Sequence, residues 1–528
     1  VKVEATISGD SVSGTMVVPD GTMRRWKAER RGGDPEVLAD LPEALGYPFG
    51  AYAREDRAEY GKDPAVLVIA NATIWTSGPK GNFAKGYVVL KGGKIHAVGE
   101  GDAPTIDGAT VIDAAGKHVT PGIIDCHSHT GISRGVNEGG QAVTAEVRIQ
   151  DVTDPDSISW YRQLAGGVTA VNSLHGSANA IGGQNAVNKN RWGATHPDDL
   201  HFAGRNTYSD ANPYGPGSGK KDAITSGMKW ALGENPRAVN WGSAEARRRY
   251  PQTRMGVETI IRDRLIAARE YKQQWVDWAS GKRGGDAPVL PPRRDLELEA
   301  IAEILDGGRW VHCHSYRQDE IVMLARVAKE FGFKIGTYQH ILEGYKAAVE
   351  VRDAARGASA FSDWWNFKLE VQDAIAQGPT LMHEVGVVVS YNSDSDELAR
   401  RMNLEAAKAV KYGGLSESEA FKFVTINPAI QLGIESRAGS IEVGKDADVV
   451  IWSGNPLSVS TRAEQTYIDG RLMFSLDLDR KLREQNKAHR ERIVQKLKKE
   501  GPTRGGGEEG ASGPGADETW QLDAAEQA

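Results

Sequence analysis

The stretch VTPGIIDCHSHTG, from Val119 to Gly131, puts His127 and His129 one residue apart at the end of an apolar run. Pro121-Gly122 opens the run, and Ile123 and Ile124 favour extended backbone, so a short buried strand is expected there. Side chains two apart on a strand share a face. Both imidazoles can therefore aim at one point. That is costly unless something takes up their lone pairs, and a divalent cation is the usual occupant. An isolated H-x-H fits a polar loop after a strand equally well, so the rest of the chain has to decide.

The same kind of position recurs. Lys229 closes the run in SGMKWALGENP, His312 and His314 close RWVHCHS, His340 closes FKIGTYQH, and Asp394 follows VGVVVSYNS. Each has an ordinary alternative, such as a histidine satisfied in a core or a Lys229–Glu234 ion pair. Four to five histidines, one lysine and one aspartate, each ending a strand and in this order, make a metal site the expectation.

The elements that must hold these groups follow from the texture of the chain. From Thr120 onward, short apolar runs alternate with longer helical patterns, which argues for parallel βα units. The pattern beginning at Glu397, ELARRMNLEAAKAVKYGG, has apolar residues at helical spacing and ends at Gly413-Gly414. Both flanks are β-rich. AVLVIANATIWTS, GYVVLKGGKIHAVG and TVIDAAG precede the body; GSIEVGKDADVVIWSG and AEQTYIDGRLMFS follow it. The expected class is α/β: a distorted (β/α)8 TIM barrel over 121–435, beside a small composite β-sandwich built from 65–120 and 436–476. Residues 1–64 form a β-rich N-terminal segment with a hairpin around Pro19-Asp20-Gly21. Residues 477–528 form a charged helix and a tail of disordered composition. The body, about 315 residues, exceeds a minimal barrel of about 250, and 185–300 is the expected excess. No internal repeat is visible.

Composition narrows the classes. The chain has 528 residues and a formal net charge of -7, which leaves no basic footprint for nucleic acid. No apolar run approaches a membrane span. The two cysteines, Cys126 and Cys313, each adjoin a candidate histidine and are expected to pack behind the site; a disulfide framework is excluded. No signal peptide is visible at Val1. A chain starting there is compatible with processing or truncation, so the compartment stays open between cytoplasmic, periplasmic and secreted. A small-molecule substrate and a homo-oligomeric state are the expected associations.

These motifs resemble the amidohydrolase superfamily, in its imidazolonepropionase-like branch, over about residues 65–475. The resemblance is carried by VTPGIIDCHSHTG, GGVTAV at 166–171, HCHSYRQDEI from His312, QH at 339–340, NSD at 392–394, FVTINPAIQLGI from Phe423 and GSIEVGKDADVVIW from Gly439. It implies one or two zinc-type ions. His127 and His129 would hold the more buried ion, with His314 and His340 as further ligands. His312 would lie deeper on the same face. Asp394 would touch metal and water and shuttle the proton, and Asp394 and His340 stand as the catalytic residues. The reaction implied is hydrolysis of a C–N bond by metal-activated water. Deamination and ester or lactone hydrolysis are its nearest rivals, and a non-catalytic assembly protein on the same fold a more distant one.

Two departures from the imidazolonepropionase pattern are informative. Lys229 resembles the strand 4 lysine of dipeptidase members, which is carboxylated and bridges two metals; Glu234 is the competing bridge. HSYRQDEI resembles the dipeptidases' HAY motif, which implies that Tyr316, with Arg317 nearby, meets a substrate carboxylate; packing for Tyr316 and a surface pair for Arg317 is the alternative. His175 sits where the loop after GGVTAV meets the site. The Gly-rich continuation of that loop lacks G-K-[ST] and is not read as a phosphate loop.

Overall fold

The computed structural model describes residues 2–8, 11–17, 23–29, 62–133, 135–194, 196–202, 227–237, 249–281, 290–363 and 368–500. The expected tail at 501–528, the Pro19-Asp20-Gly21 turn and part of the expected excess at 185–300 lie outside these residues. The chain divides into two compact units, Val1–Arg57 and Ala58–Ala528. The first holds a three-stranded antiparallel sheet of β1 (Lys2–Ser8), β2 (Ser11–Val17) and β3 (Met23–Glu29), with Val17 opposite Met23.

In the second unit, strands from both flanks enter one eight-stranded sheet. The leading flank supplies β4 (Val66–Trp75), β5 (Asn82–Lys91), β6 (Lys94–Glu100), β7 (Thr110–Asp113) and β8 (His118–Pro121). A bulge in β4 keeps one face apolar. Leu67 and Ile69 face the core, the register shifts with Asn71 at φ +60°, and Ala72 and Ile74 then return to the same core. Without that extra residue the alternation would put Ala72 and Ile74 on the opposite face.

The central strands are β9 (Ile123–Ser128), β10 (Val168–Ser173), β11 (Ile181–Gln184), β12 (Ala186–Lys189), β13 (Gly227–Ala231), β14 (Trp310–His314), β15 (Ile335–Gln339), β16 (Ala355–Ala360) and β17 (Val389–Tyr391). Hydrogen bonding divides them between two sheets, in the orders β12-β10-β9 and β11-β13-β14-β15-β16-β17. The pairs β9–β10 and β13 through β17 are parallel, as expected for βα units. β11 and β12 are antiparallel to their neighbours, which departs from that pattern. The Gly-rich continuation after His175 thus forms two short buried strands. Gly182 is required there, because a Cβ would lie 2.8 Å from His175 Nδ1 and 3.1 Å from the Lys229 carbonyl.

Nearly every residue of the parallel strands is buried, because helices cover the outside. Among them are Gln318–Phe331 between β14 and β15, and Met402–Gly413, which Gly414 closes in left-handed backbone at φ +69°. The chain then returns to the eight-stranded sheet as β18 (Val449–Trp452), β19 (Ala463–Ile468) and β20 (Arg471–Ser475), with β18 antiparallel to β8. Lys189, fully buried at the end of β12, ties the two parts together. Its ammonium lies 2.8 Å from Asp446, 3.0 Å from Asp448 and 2.5 Å from Asp469. The last helix, Leu476–Glu500, docks through Leu478 and Leu482.

Candidate metal centre

His127 lies near the end of β9 and His129 just beyond it, and both converge on Asp394, which follows β17. Asp394 Oδ1 is 3.3 Å from His127 Nε2 and 3.1 Å from His129 Nε2. The donor atoms of the three residues lie within 4.8 Å of one another. The two strand ends are joined directly. The Asp394 N–H donates to the His127 carbonyl at 3.0 Å. The fully buried Asp125 carboxylate accepts from the His127 and Ser393 N–H groups, at 3.2 and 3.1 Å, and pairs with the Ser393 hydroxyl. Burial pushes the Asp125 carboxyl up to about 7 against these bonds.

Two candidate ligands occupy unusual backbone. His340 has φ +38° and Asp394 φ +46°, the left-handed region that a side chain with a Cβ rarely adopts. Both follow strand ends, where the chain turns sharply. Strain of about 1–3 kcal/mol per residue persists only where the surroundings over-determine it, typically at functional sites.

Three of the imidazoles, His127, His314 and His340, are pushed toward the neutral form that binds metal. Burial lowers His127 to about 4, with the Lys229 charge acting in the same sense and Asp394 opposing. His314 and His340 are held well below the ordinary histidine value, by burial first and by a neighbouring imidazole second. The Asp394 carboxyl would be raised by burial, but the facing His127 and His129 override this and hold it well below the usual range. Neutral rings facing an anion are a set of acceptors lacking a cation.

Buried orphan atoms test that reading. His314 Nε2 and both ring nitrogens of His340 are buried without a hydrogen-bond partner among the described residues. The two ring centroids are 4.6 Å apart, and that of His340 is 4.8 Å from His127. His340 Nε2 is 3.8 Å from the other Asp394 oxygen, Oδ2. Orphaned imidazole nitrogens around a shared carboxylate fit a divalent cation, which takes nitrogen and oxygen donors together.

Lys229, on β13, points into the same centre. Its amine is 3.4 Å from His127 Nε2 and 3.2 Å from the His175 carbonyl. Burial lowers it to about 8, with Asp394 and Cys313 opposing. His312 stands in register with Lys229 on β14, buried, with Nδ1 unpartnered among the described residues and its pKa lowered to about 3 by burial. The Glu234 carboxylate lies 3.6 Å from Lys368.

The other expected residues stand as follows. Tyr316 is buried, its ring 4.4 Å from His314 and 5.0 Å from His340. Arg317 has its side chain 41 % exposed and pairs with Asp319 at 3.1 Å. The cation beside Tyr316 is Lys368, whose amine lies 4.8 Å from the ring centroid. Both His175 nitrogens are engaged: Nδ1 donates to the Gly176 carbonyl at 2.9 Å and Nε2 accepts from the Glu138 N–H at 2.8 Å. Cys126 and Cys313 are buried free thiols, and Cys126 Sγ is 3.2 Å from Ser390 Oγ.

Sequence reasoning passed over Asp125, Ser393, Gln339, Ser359 and Lys368. Asp125 and Gln339 stood beside the quoted histidines, so adjacency was the available signal. Ser359 and Lys368 carried none.

Comparison with known proteins adds the family context. Residues 290–473 match the model of the amidohydrolase family. A solved amidohydrolase structure from Thermotoga maritima MSB8 is 31% identical, with a TM-score of 0.66, covering 78% of this chain and 100% of that one. The amidohydrolase tasK of Hapsidospora irregularis is 30% identical over 458 residues, 80% of this chain, which spans 44% of that protein's length. An imidazolonepropionase of Symbiobacterium thermophilum is 26% identical over 70% of this chain and 84% of its own length.

Proposed function

This chain belongs to the amidohydrolase family, and we propose that the cluster at its strand ends is the active site of a metal-dependent hydrolase that cleaves a C–N bond. The observation that carries this reading is the convergence of His127 and His129 on Asp394, with the unpartnered nitrogens of His314 and His340 on its other side.

When bound, a divalent cation there acidifies water and polarises the scissile carbonyl. The chain supplies the rest. His127, His129, His314 and His340 would hold and orient the cation through their ring nitrogens. Asp394 takes the proton of the attacking water and returns it to the leaving nitrogen, whose departure as a neutral amine completes hydrolysis. Burial excludes bulk water from the other strand-end groups.

The finer parts of this reading are these. The metal is zinc. Oδ1 of Asp394 faces the His127–His129 lobe and Oδ2 faces His340, which suits two ions sharing one carboxylate. A carboxylated Lys229 would bridge them, with Glu234 as the alternative bridge; the Lys229 amine near His127 supports the former and the Glu234–Lys368 contact leaves the latter less free. Substrates are small: a cyclic amide, an acylated amino acid or a dipeptide. Tyr316 borders the substrate space, and the cation over its ring is Lys368, while Arg317 pairs with Asp319. His175 contributes through its carbonyl, which receives Lys229. The body at 121–435 is read as a distorted (β/α)8 barrel. Its support is the parallel order of β13 to β17 and the bonds joining the end of β17 to β9. The flanks at 65–120 and 436–476 form the small β-domain, and the protein works as a homo-oligomer.

The test is metal analysis of the purified protein with a turnover screen of cyclic amides, N-acyl amino acids and dipeptides. Metal uptake with C–N hydrolysis that chelation abolishes is expected. Hydrolysis unaffected by complete metal removal overturns the reading.

A further inference from the structure

We propose that Gln339 is a positioning residue that sets the tautomer of His127, so that Nε2 presents a bare lone pair to the metal centre. This rests on the reading of the cluster as a metal centre.

The argument is a chain of hydrogen bonds in which each donor is forced by the one before. The Cys126 carbonyl can only accept, and the Gln339 amide nitrogen lies 3.2 Å from it. The amide group must therefore be oriented with Nε2 toward Cys126 and Oε1 away from it. Oε1 accepts the Ser359 hydroxyl proton at 2.7 Å. That hydroxyl in turn accepts the His340 main-chain N–H at 3.0 Å. The remaining neighbour of Oε1 is His127 Nδ1, at 3.2 Å. A carbonyl oxygen cannot donate, so Nδ1 must carry the proton. In the neutral ring, Nε2 is then bare.

Without Gln339 the Nδ1 proton loses its acceptor and the Nε2 side is contested, because the Lys229 amine 3.4 Å away favours a bare Nε2 when it donates as an ammonium. Asp394 Oδ1, an acceptor, lies 3.3 Å from His127 Nε2 and would attract a proton onto it. An Nε2–H blocks metal binding at that nitrogen, because the ligand lone pair is used up. Gln339 opposes this from the far side of the ring. Flipping its amide to suit the other tautomer would set Oε1 against the Cys126 carbonyl. The same amide and Ser359 also fix the His340 backbone, which sits in left-handed conformation. One buried side chain thus prepares two candidate ligands on different strands. His129 achieves the same protonation locally, through the Leu174 carbonyl at 2.8 Å.

The test reads the tautomer in metal-free protein by nitrogen-15 chemical shifts of the histidine rings, alongside zinc affinity by competition with a chelating dye. In the wild-type chain His127 is expected to carry its proton on Nδ1. Gln339→Met, close in shape but unable to accept a strong hydrogen bond, is expected to move the proton to Nε2 and weaken zinc binding by about 10- to 100-fold. Ser359→Ala leaves the Gln339–His127 bond in place and should keep the Nδ1–H form. A wild-type His127 protonated at Nε2 overturns the inference without any variant. So does a folded Gln339→Met chain that keeps both the Nδ1–H tautomer and wild-type zinc affinity. A wild-type chain that takes up no zinc overturns the metal-centre reading, while the tautomer still decides the role of Gln339.

Discussion

Asp394 Oδ1 stands 3.1 Å from His129 Nε2, although 264 positions separate the two residues between them, and this contact closes the cluster at the strand ends. The His129 ring donates from Nδ1 to the Leu174 carbonyl. Its neutral form therefore turns a lone pair toward a carboxylate, an arrangement that a cation relieves.

Asp394→Asn keeps the volume of the side chain but cannot accept the proton of an attacking water. Turnover should fall by at least about 100-fold, the lower range for loss of a general base. The fold should persist, because the main-chain bond from residue 394 to His127 survives the change. Turnover and thermal unfolding measured on metal-loaded protein check this, and near-wild-type turnover would place the proton acceptor elsewhere.

Metal stoichiometry separates one ion from two. Mass spectrometry of gently purified protein should give close to two zinc ions per chain. His314→Ala should remove about one of them, since its unpartnered Nε2 belongs to the His340 side of the cluster. A wild-type value near one would restrict the site to a single ion.

Lys229→Ala decides between the bridges. If a carboxylated Lys229 links two ions, the variant should lose at least one, and a short carboxylic acid in solution should restore part of the activity. If Glu234 is the bridge, Lys229→Ala keeps both ions and Glu234→Gln loses one. Elemental analysis of the two variants side by side gives the answer.

The Lys189 cluster predicts a stability profile with pH. Burial would lower the Lys189 ammonium, but Asp448, Asp469 and Asp446 reverse this and raise it above the ordinary lysine value. A raised group contributes fully below its unfolded pKa, and that contribution is lost as pH rises through the folded value. Asp446 runs the other way. Burial would raise it, yet Lys189, Lys94 and Arg437 hold it at about 2. Its contribution is present above the usual carboxylate value and disappears as pH falls toward about 2. Urea unfolding should therefore show a plateau near neutrality, with losses at both extremes. Lys189→Met leaves the buried Asp448 carboxylate without its cation, while Asp446 keeps Lys94 and Arg437 and Asp469 keeps Arg191, and should cost about 3–5 kcal/mol at pH 7. An equally stable variant would show that the cluster does not hold the two parts together.

The sequence by itself determined what is periodic or adjacent. H-x-H on one strand fixes two imidazoles on one face. The apolar runs ending in His314, His340 and Asp394 are local patterns that mark strand ends, whereas Lys229, expected to close its run, is the central residue of β13. The end of the helix at Gly413-Gly414 was legible from its spacing and its glycines, but the single pattern expected from Glu397 is divided into Asp396–Ala399 and Met402–Gly413. What only the tertiary structure decided is which polar atoms are already spent. His175 looked available from its position, but Gly176 and Glu138, one of them 37 residues away, occupy both its nitrogens. Arg317 adjoins Tyr316 in sequence, yet Lys368 supplies the cation over its ring. Nothing in the local pattern marked Lys189 for burial, yet it is buried where three aspartates from the far end of the chain satisfy it. Spacing along an element fixes the face on which a side chain projects. Whether that side chain is free to do chemistry depends on hydrogen-bond partners brought in by elements far away in the chain.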